Sequence, residues 1–420
     1  MKTDKNGWLK EYLDYRINHY HEDVIKSSIH PDYSLYNLLQ PTGLLYGKPI
    51  QAENLDQTQF TTLNEHDRMV ALLAESLVNA SLLFHQDEIK NAEDFSRILF
   101  KTVANITDFY NKVYPEIAVN TKTLFGKQIS TLETTEKILE RRLAGMSESS
   151  GSFWVHFFYN TLVFLDIYLF GQWIHTGNGE VLTAFFIQEK EELRLTIIKI
   201  MVAAAYANNI LELEEKKMFE YLLQAAQLSG KTTKDAKKYL EQGVQVEEIT
   251  LPQNNSWLLK KYFLEIAIIT VWADRVVDDK ELAFLKRLNS HLGFFDDDLD
   301  KSMMAIESFV LEHWQEMGEL QSKKSFDVLG KEFEEKVLKI TKRNENRIRQ
   351  EIKVSEKITR LIRKYQNNDL SDEDAERLRN MLMNILQNLP AFGFIALPDT
   401  YMTLPLLFKI LPEDIINTPR

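Results

Sequence analysis

The chain has 420 residues, a formal net charge of −12, 44% hydrophobic residues and 27% charged residues. It contains no cysteine, which excludes disulfides, thiolate zinc sites, iron–sulfur clusters and cysteine nucleophiles. The net negative charge argues against nucleic-acid binding by the surface as a whole. It does not exclude binding by a local basic patch. The opening sequence MKTDKNGWLKEYLDYR mixes acids with bases and shows no secretory signal.

Glycine (15) and proline (10) are scarce, and apolar residues recur at three- and four-residue spacing, which predicts an all-α, multi-helix bundle. Composition and the spacing of apolar residues and prolines change along the chain. We therefore predict an N-terminal helical domain, a duplicated helical domain, a basic helix and a hydrophobic C-terminal segment, at residues 1–190, 191–325, 326–370 and 371–420.

The first 148 residues read as helices joined by one turn-rich stretch. An amphipathic helix is predicted around Trp8 to Ile25, followed by a segment rich in Pro, Tyr and Gly that is expected to pack across a helical body. Three more helices are expected in 63–148. The last begins at Ser130, which has capping-box spacing to Glu133.

The segment 153–173 is unusually apolar, and nearly half of its side chains are aromatic. The length matches the roughly 20 residues that cross a bilayer. However, Asp166 lies inside the segment, and an acid at mid-membrane costs about 2.5–3.5 kcal/mol on the insertion scale. The two alternatives are a membrane span and a central helix buried by the surrounding bundle, and the sequence favours the buried helix.

Residues 193–310 contain a weak duplication at a constant offset, which places Ala207 on Ala273 and Glu215 on Glu281. Each copy is an apolar helix, a polar connection and an amphipathic helix, so we predict two stacked helical hairpins. The second copy resembles the tellurite-resistance TerB-like helical domain through Ala273, Asp274 and Glu281, with Arg275 in place of the usual glycine. The resemblance implies a helical module of bacterial stress or membrane-surface systems and binding of a divalent metal.

The acidic connection of the second copy is the candidate metal site. Carboxylates are hard oxygen ligands for a divalent cation such as calcium, and this connection supplies Asp274, Asp278, Asp279 and Glu281. Their spacing is not that of an EF-hand. The alternative is that Asp278 caps the following helix and Glu281 completes a capping box, which the sequence favours. No other cofactor is predicted.

The segment from Lys331 to Gln366 is basic, with 12 Lys and Arg against 6 Glu, and reads as one long helix or two. Its apolar residues keep a helical stripe that Asn344 interrupts. A basic amphipathic helix is able to lie on anionic lipid or phosphate-rich RNA; the alternatives are a solvated face and a coiled-coil partner. The residues that we call the basic surface are Lys342, Arg343, Arg347, Arg349, Arg360, Arg363 and Lys364.

The C-terminal segment combines apolar residues with regularly spaced prolines. A helix start is predicted at Ser371, with Asp374 three residues later, and between residues 380 and 408 the only charged side chain is Asp399. If the segment stays helical, its proline kinks fall near one face. The candidate membrane or ion residues here are Asp399, Lys409, Pro390, Pro398, Pro405 and Pro412.

The same segment resembles the LETM family, the leucine-zipper and EF-hand-containing transmembrane proteins, and its bacterial relatives of the biofilm-associated type. The resemblance runs from about residue 353 to residue 418. The matching residues are Leu370-Ser371, Leu389-Pro390, Phe392, Pro398, Leu404-Pro405, Lys409, Pro412 and Thr418.

The LETM resemblance implies an inner-membrane location, cation/proton exchange and ribosome contact. Tyr401 stands where transporting members carry a glutamate, so exchange chemistry is not implied at that position. If ions move, we expect Asp399 and Lys409 to carry the function, as an acid and its partner or an anchor, in a homo-oligomer.

The sequence shows no G-x-S-x-G, H-E-x-x-H, P-loop or G-x-G-x-x-G motif, and we predict no enzyme activity. The expected function is that of a membrane-associated LETM-like protein on the cytoplasmic side of a bacterial inner membrane, with a role in cation homeostasis or in contact between ribosome and membrane. The alternative is a soluble cytoplasmic helical scaffold that binds a protein partner or a divalent cation through the TerB-like region.

Overall fold

The structure is a computed structural model, and every regular element in the part of the chain that it describes is a helix. The predicted all-α class is therefore confirmed. The described residues are 7–20, 30–52, 54–119, 129–145, 153–176, 180–207, 213–253, 255–272, 278–317 and 325–412.

Contacts divide the chain into two compact units, Met1–Phe294 and Phe295–Arg420. The predicted boundaries after residues 190, 325 and 370 do not coincide with this division and stay predictions. The α-helices of the first unit are α1 Trp8–Asn18, α2 Pro31–Leu39, α3 Gln57–Thr62, α4 Glu65–Phe84, α5 Ala92–Val113, α6 Thr131–Leu143, α7 Phe153–Asn160, α8 Phe164–Thr176, α9 Glu180–Ala205, α10 Leu213–Ala226, α11 Gly230–Gln242, α12 Trp257–Trp272 and α13 Asp279–His291.

Side-chain caps set the start of several of these helices. Asn64 accepts a hydrogen bond from the amide of Asp67 at the start of α4, and Asn91 caps α5 in the same way. The predicted helix start at Ser130 is confirmed, because its hydroxyl accepts from the Glu133 amide at 3.2 Å. Each cap satisfies an amide that has no partner inside the helix.

The aromatic segment forms α7 and α8, which a 3-10 turn at Thr161–Val163 joins. α7 packs against α10, and α8 packs against α4 and α9. Among the described residues this is the one helical stretch, Phe153–Thr176, whose length and apolar character suit a membrane crossing, and 89% of its most apolar window is buried within the protein. The prediction that the surrounding helices bury this segment is therefore confirmed.

Asp166, the acid inside that segment, is fully buried and accepts four hydrogen bonds. Tyr110 donates to it at 2.8 Å and Tyr114 at 2.7 Å. The guanidinium of Arg142 on α6 donates through Nε at 2.7 Å and Nη2 at 3.1 Å. Burial alone lowers the pKa of Arg142, but the Asp166 charge, the neighbouring tyrosines and the hydrogen bonds to Asp166 together outweigh burial. The pKa of Arg142 is therefore raised, and its guanidinium stays charged. We call this arrangement the Asp166 clamp.

Glu265 on α12 is held in the same manner, which we call the Glu265 clamp. Lys261 pairs with it at 2.8 Å, while the hydroxyls of Tyr36 and Tyr46 donate at 2.6 and 2.9 Å. Burial, followed by the Glu265 charge, raises the pKa of both tyrosines, so each keeps its proton. Both tyrosines come from the turn-rich N-terminal stretch, whose predicted packing across the helical body is thereby confirmed.

The duplicated region forms two helical pairs, α9–α10 and α12–α13, and α9 also packs against α12. The second helices of the two copies begin at Leu213 and Asp279, which are separated by the same offset as Ala207 and Ala273, as the duplication predicts. α11 lies between the two pairs in the chain. The polar connections, which include Asp274, lie outside the described residues.

The second unit contains helices from the basic and C-terminal segments. They are α14 Asp296–Glu312, α15 Phe326–Arg343, α16 Glu345–Val354, α17 Glu356–Gln366, α18 Asp372–Gln387 and α19 Leu404–Ile410. The prediction of one or two long basic helices is wrong, because the segment is divided into three helices at Asn344 and Ser355. Ser355 ends α16 in an extended conformation, and its hydroxyl caps α17 by accepting from the Ile358 amide.

Replacing Asp166 with Asn tests the Asp166 clamp. The change keeps the size of the side chain but leaves the buried Arg142 charge without a counterion, so we expect the free energy of unfolding to fall by about 3–5 kcal/mol. Urea titration followed by circular dichroism measures it.

The matched control is Asp108→Asn on α5, where the carboxylate pairs with Lys112 at 3.0 Å at the surface. Loss of such a pair is expected to cost about 0.3–0.5 kcal/mol. Equal, small effects of the two substitutions would contradict the clamp.

Candidate functional site

The acidic residues predicted to bind metal are placed at the start of α13. Asp278 accepts hydrogen bonds from the amides of Lys280 and Glu281 at 2.7 and 2.8 Å, and the Glu281 carboxylate accepts from the Asp278 amide at 2.7 Å. These contacts are a complete capping box, as the alternative interpretation predicts. Asp279 is exposed, and no group of three or more metal-ligating side chains occurs within the described ranges.

The basic surface is placed on three consecutive helices of the second unit. Its residues lie at the end of α15, on α16 and on α17. Five are exposed and two, Arg349 and Lys364, are partly buried. Arg349 pairs with Glu345 at 3.0 Å, Lys364 pairs with Asp374 at 2.6 Å, and Arg347 donates to the Asn388 carbonyl at 3.2 Å.

The side chains of Lys342, Arg343, Arg360 and Arg363 form no hydrogen bond or ion pair with the described residues. Arg360 helps to lower the pKa of the Asp374 carboxyl but forms no ion pair with it. An exposed cation outside an ion pair keeps most of its charge available for a ligand. These four residues are therefore the part of the basic surface best suited to meet an anionic partner.

The apolar stripe of the same helices faces inward. Six of the eight predicted stripe residues are buried and two are partly buried, so the predicted stripe is confirmed. They are Phe333, Val337, Ile340, Ile348, Ile358, Leu361, Ile362 and Tyr365. The amphipathic helices have thus already buried their apolar sides within the second unit, and their charged sides remain in solvent.

A cleft of about 340 Å³ adjoins α14 and α15. Its wall contains four basic side chains, two aspartates, Asn344 and three apolar residues. The main lining residues are Lys301, Lys336, Lys339, Arg343, Asp297, Asp300, Met304 and Ile340. Lys336 pairs with the buried Glu307 at 2.5 Å and Lys301 lies 3.8 Å from Asp298, so two of these cations are already matched by acids. Arg343 belongs both to this cleft and to the basic surface.

The proline-rich tail folds back onto its own unit. The predicted helix start at Ser371 is confirmed, because its hydroxyl accepts from the Asp374 amide at 3.2 Å. Beyond α18, Pro390 begins a 3-10 turn, Pro398 begins another turn and Pro405 lies in the first turn of α19. The condition under which the kinks would share one face, that the segment stays helical, is not met, because turns and extended residues separate α18 from α19.

Polar side chains satisfy the backbone groups that these interruptions leave unpaired. Gln387 on α18 donates to the carbonyls of Phe392 and Ile395 at 2.9 and 3.0 Å and accepts from the Leu397 amide. The hydroxyl of Ser308 on α14 donates to the Ala396 carbonyl. Non-helical backbone is thus buried without loss of its hydrogen bonds. Apolar tail residues, including Leu389, Phe392, Leu407 and Phe408, are buried in the process.

Asp399 and Lys409, the predicted ion-handling pair, are both exposed and have different partners. Arg379 pairs with Asp399 at 2.6 Å and also donates to the Met402 carbonyl at 3.0 Å. Lys409 pairs with Glu334 on α15. Asp399 and Lys409 do not pair with each other, since each residue instead ties the tail to a helix of its own unit; their expected role in ion movement stays a prediction.

The four candidate prolines have different surroundings. Pro398 and Pro412 are buried, whereas Pro390 and Pro405 are exposed.

The sequence did not point to Gln387, Ser308 or Glu312 as residues that hold the tail. Glu312 accepts hydrogen bonds from the amide and the hydroxyl of Thr400. Their roles depend on distant backbone atoms, so spacing along the chain carries no signal for them.

No family model, curated protein or solved structure matches this chain. The TerB-like and LETM-like resemblances therefore stay predictions based on the residues that carry them.

Substitution of Asp278 separates capping from metal binding. Asn caps helices about as well as Asp, whereas Ala removes the cap, so Asp278→Ala is expected to cost about 0.5–2 kcal/mol and Asp278→Asn close to nothing. Urea unfolding of each variant, with and without calcium, measures the difference. A calcium-dependent gain in stability that Asp278→Asn abolishes would favour the cation site instead.

Proposed function

We propose that this chain is a non-enzymatic, LETM-like protein that attaches peripherally to an anionic membrane surface through the basic surface of its second unit. The observation that carries the proposal is the sorting of side chains on α15–α17, with apolar residues inside and exposed cations outside, four of which form no ion pair with the described residues. Each Lys or Arg near an anionic lipid surface contributes about 1 kcal/mol to attachment.

An exposed apolar residue lies among these cations. Val354, the last residue of α16, is 78% exposed, and its neighbours Lys353 and Lys357 are exposed as well. A single apolar tip flanked by lysines suits the boundary between headgroups and acyl chains, where the apolar group enters and the ammonium groups stay at the phosphates. Val354 therefore supports contact with a lipid surface.

The folded tail supports surface attachment over insertion. Insertion of the C-terminal tail, which the sequence allows, would break the contacts of Gln387, Arg379 and Glu312 and expose backbone groups of the non-helical turns to lipid. Each unsatisfied backbone group in hydrocarbon costs several kcal/mol. A peripheral protein keeps these contacts intact.

The LETM resemblance suggests where such attachment takes place and what it serves. It suggests the cytoplasmic side of a bacterial inner membrane, and a role in cation homeostasis or in bringing ribosomes to the membrane. Homo-oligomerisation would multiply the cations that face the lipid and strengthen attachment without new contacts.

The second candidate is a soluble helical scaffold that binds a protein partner or a divalent cation through the TerB-like region. Burial of both membrane-like segments, 153–173 and the tail, favours it. The two candidates differ in one measurable property, which is affinity for anionic lipid.

Vesicle sedimentation tests the membrane proposal. The full chain is expected to sediment with vesicles that contain phosphatidylglycerol, to stay in solution with phosphatidylcholine alone, and to be released by salt because the contact is electrostatic. Neutralising Lys342, Arg343, Arg360 and Arg363 to Gln is expected to weaken binding about fivefold per residue.

The matched control neutralises four exposed lysines of α11, a helix of the first unit, to Gln, which changes the net charge equally. These lysines are Lys231, Lys234, Lys237 and Lys238. Equal weakening by the two sets would mean that net charge alone governs binding. If the unmodified chain sediments with neither vesicle, the scaffold becomes the better account.

A further inference from the structure

The cleft beside α14 and α15 brings acids of one helix and bases of the other to a single opening. Its lining comes from residues 297–304 of α14, residues 336–344 at the end of α15, and Ala391 of the tail, all in the second unit. Its volume of about 340 Å³ lies at the lower end of the range of sites that hold small molecules.

Two of the lining cations already have partners within the protein. Lys336 pairs with the buried Glu307 at 2.5 Å. The ammonium of Lys301 lies 3.8 Å from the Asp298 carboxylate and 6.0 Å from the centre of the Phe394 ring. These two cations are therefore matched before any ligand enters.

The other four charged groups of the lining form no ion pair or hydrogen bond through their side chains with any residue that the structure describes. They are Asp297 and Asp300 on α14 and Lys339 and Arg343 on α15, and all four are exposed. The acids are three residues apart and the bases four, so each pair shares a helix face and its like charges repel. Each pair therefore favours a ligand group of opposite charge.

Helix dipoles do not account for this arrangement. They favour acids at a helix start and bases at a helix end, but the effect falls off within the first or last turn. Asp300 and Lys339 are each the fifth residue from the end of their helix, beyond that reach. A ligand in the cleft gives both residues a use.

We propose that this cleft binds a small zwitterion in which a primary ammonium and a phosphate are joined by a short carbon chain, as in phosphoethanolamine. The phosphate lies at Lys339 and Arg343, because its several oxygens serve a forked guanidinium and an ammonium at once. The ligand's ammonium lies at Asp297 and Asp300. The four protein charges sum to zero, so a ligand with one sign of charge leaves one pair unmatched.

The same chemistry occurs in free phosphoethanolamine and in the headgroup of phosphatidylethanolamine. Met304 and Ile340 add apolar surface to the lining, which suits the carbon chain of either form. The proposal does not depend on membrane attachment, because the free compound is soluble.

Equilibrium dialysis of the full chain against radiolabelled phosphoethanolamine tests the site. Ethanolamine and glycerol phosphate each lack one of the two charges, so each is expected to compete about tenfold more weakly than unlabelled phosphoethanolamine. Absence of binding at millimolar ligand would overturn the site. Equal competition by glycerol phosphate and phosphoethanolamine would overturn the zwitterion and leave a simple anion site.

Single substitutions assign binding to the two walls of the cleft. Arg343→Gln and Asp300→Asn are each expected to weaken phosphoethanolamine binding about tenfold. The matched controls are Lys342→Gln and Asp296→Asn, since both residues are exposed on the same helices but do not line the cleft. Equal losses in controls and test variants, or a loss with Arg343→Gln alone, would overturn the proposal.

A further competition separates the two sources of the ligand. Glycerophosphoethanolamine is the soluble diester of the lipid headgroup, so stronger competition by it than by phosphoethanolamine assigns the cleft to the lipid, and the reverse assigns it to the free compound. Asp300→Asn is expected to leave sedimentation with phosphatidylglycerol vesicles undiminished, because it removes no cation. Failure of the cleft and failure of the membrane proposal are therefore distinguishable.

Discussion

The first unit depends on the rule that an ionised side chain is buried only with partners that match its charge and its hydrogen bonds. Asp166 and Glu265 each lie in an apolar helix, and each accepts from two tyrosine hydroxyls and one cation. Except for Lys261, which lies one turn from Glu265 on α12, the partners come from other parts of the chain, so each clamp fixes several segments at once.

In the second unit the corresponding constraint acts on the backbone. Prolines stop helices, and the amides and carbonyls of the turns that follow must find partners before the apolar tail is buried. Gln387, Ser308 and Glu312 supply these partners from α18 and α14. The tail is therefore a core element of its own unit, and the charged sides of α15–α17 are what this unit presents to solvent.

Local signals in the sequence predicted much of this fold. Caps at Ser130 and Ser371, the apolar stripe of the basic segment and the constant offset of the duplication depend on neighbours in the chain or on simple spacing, and all appear in the structure. The clamps could not be predicted, because Tyr36 lies 229 residues from Glu265 in sequence. Proximity in sequence also did not predict the ion pairs of the tail. Asp399 pairs with Arg379 and Lys409 with Glu334, and the two do not pair with each other.

The two segments that resemble membrane spans by composition are buried in the structure, and we propose that surface charge mediates attachment to lipid. Alkaline carbonate extraction of membranes from cells that express the full chain tests this claim most directly, because it removes peripheral proteins and retains integral ones. The account predicts that the chain is released into the supernatant. Retention of the full chain in the pellet, together with release of a chain that ends at Asn380, would contradict it and would favour insertion of the tail.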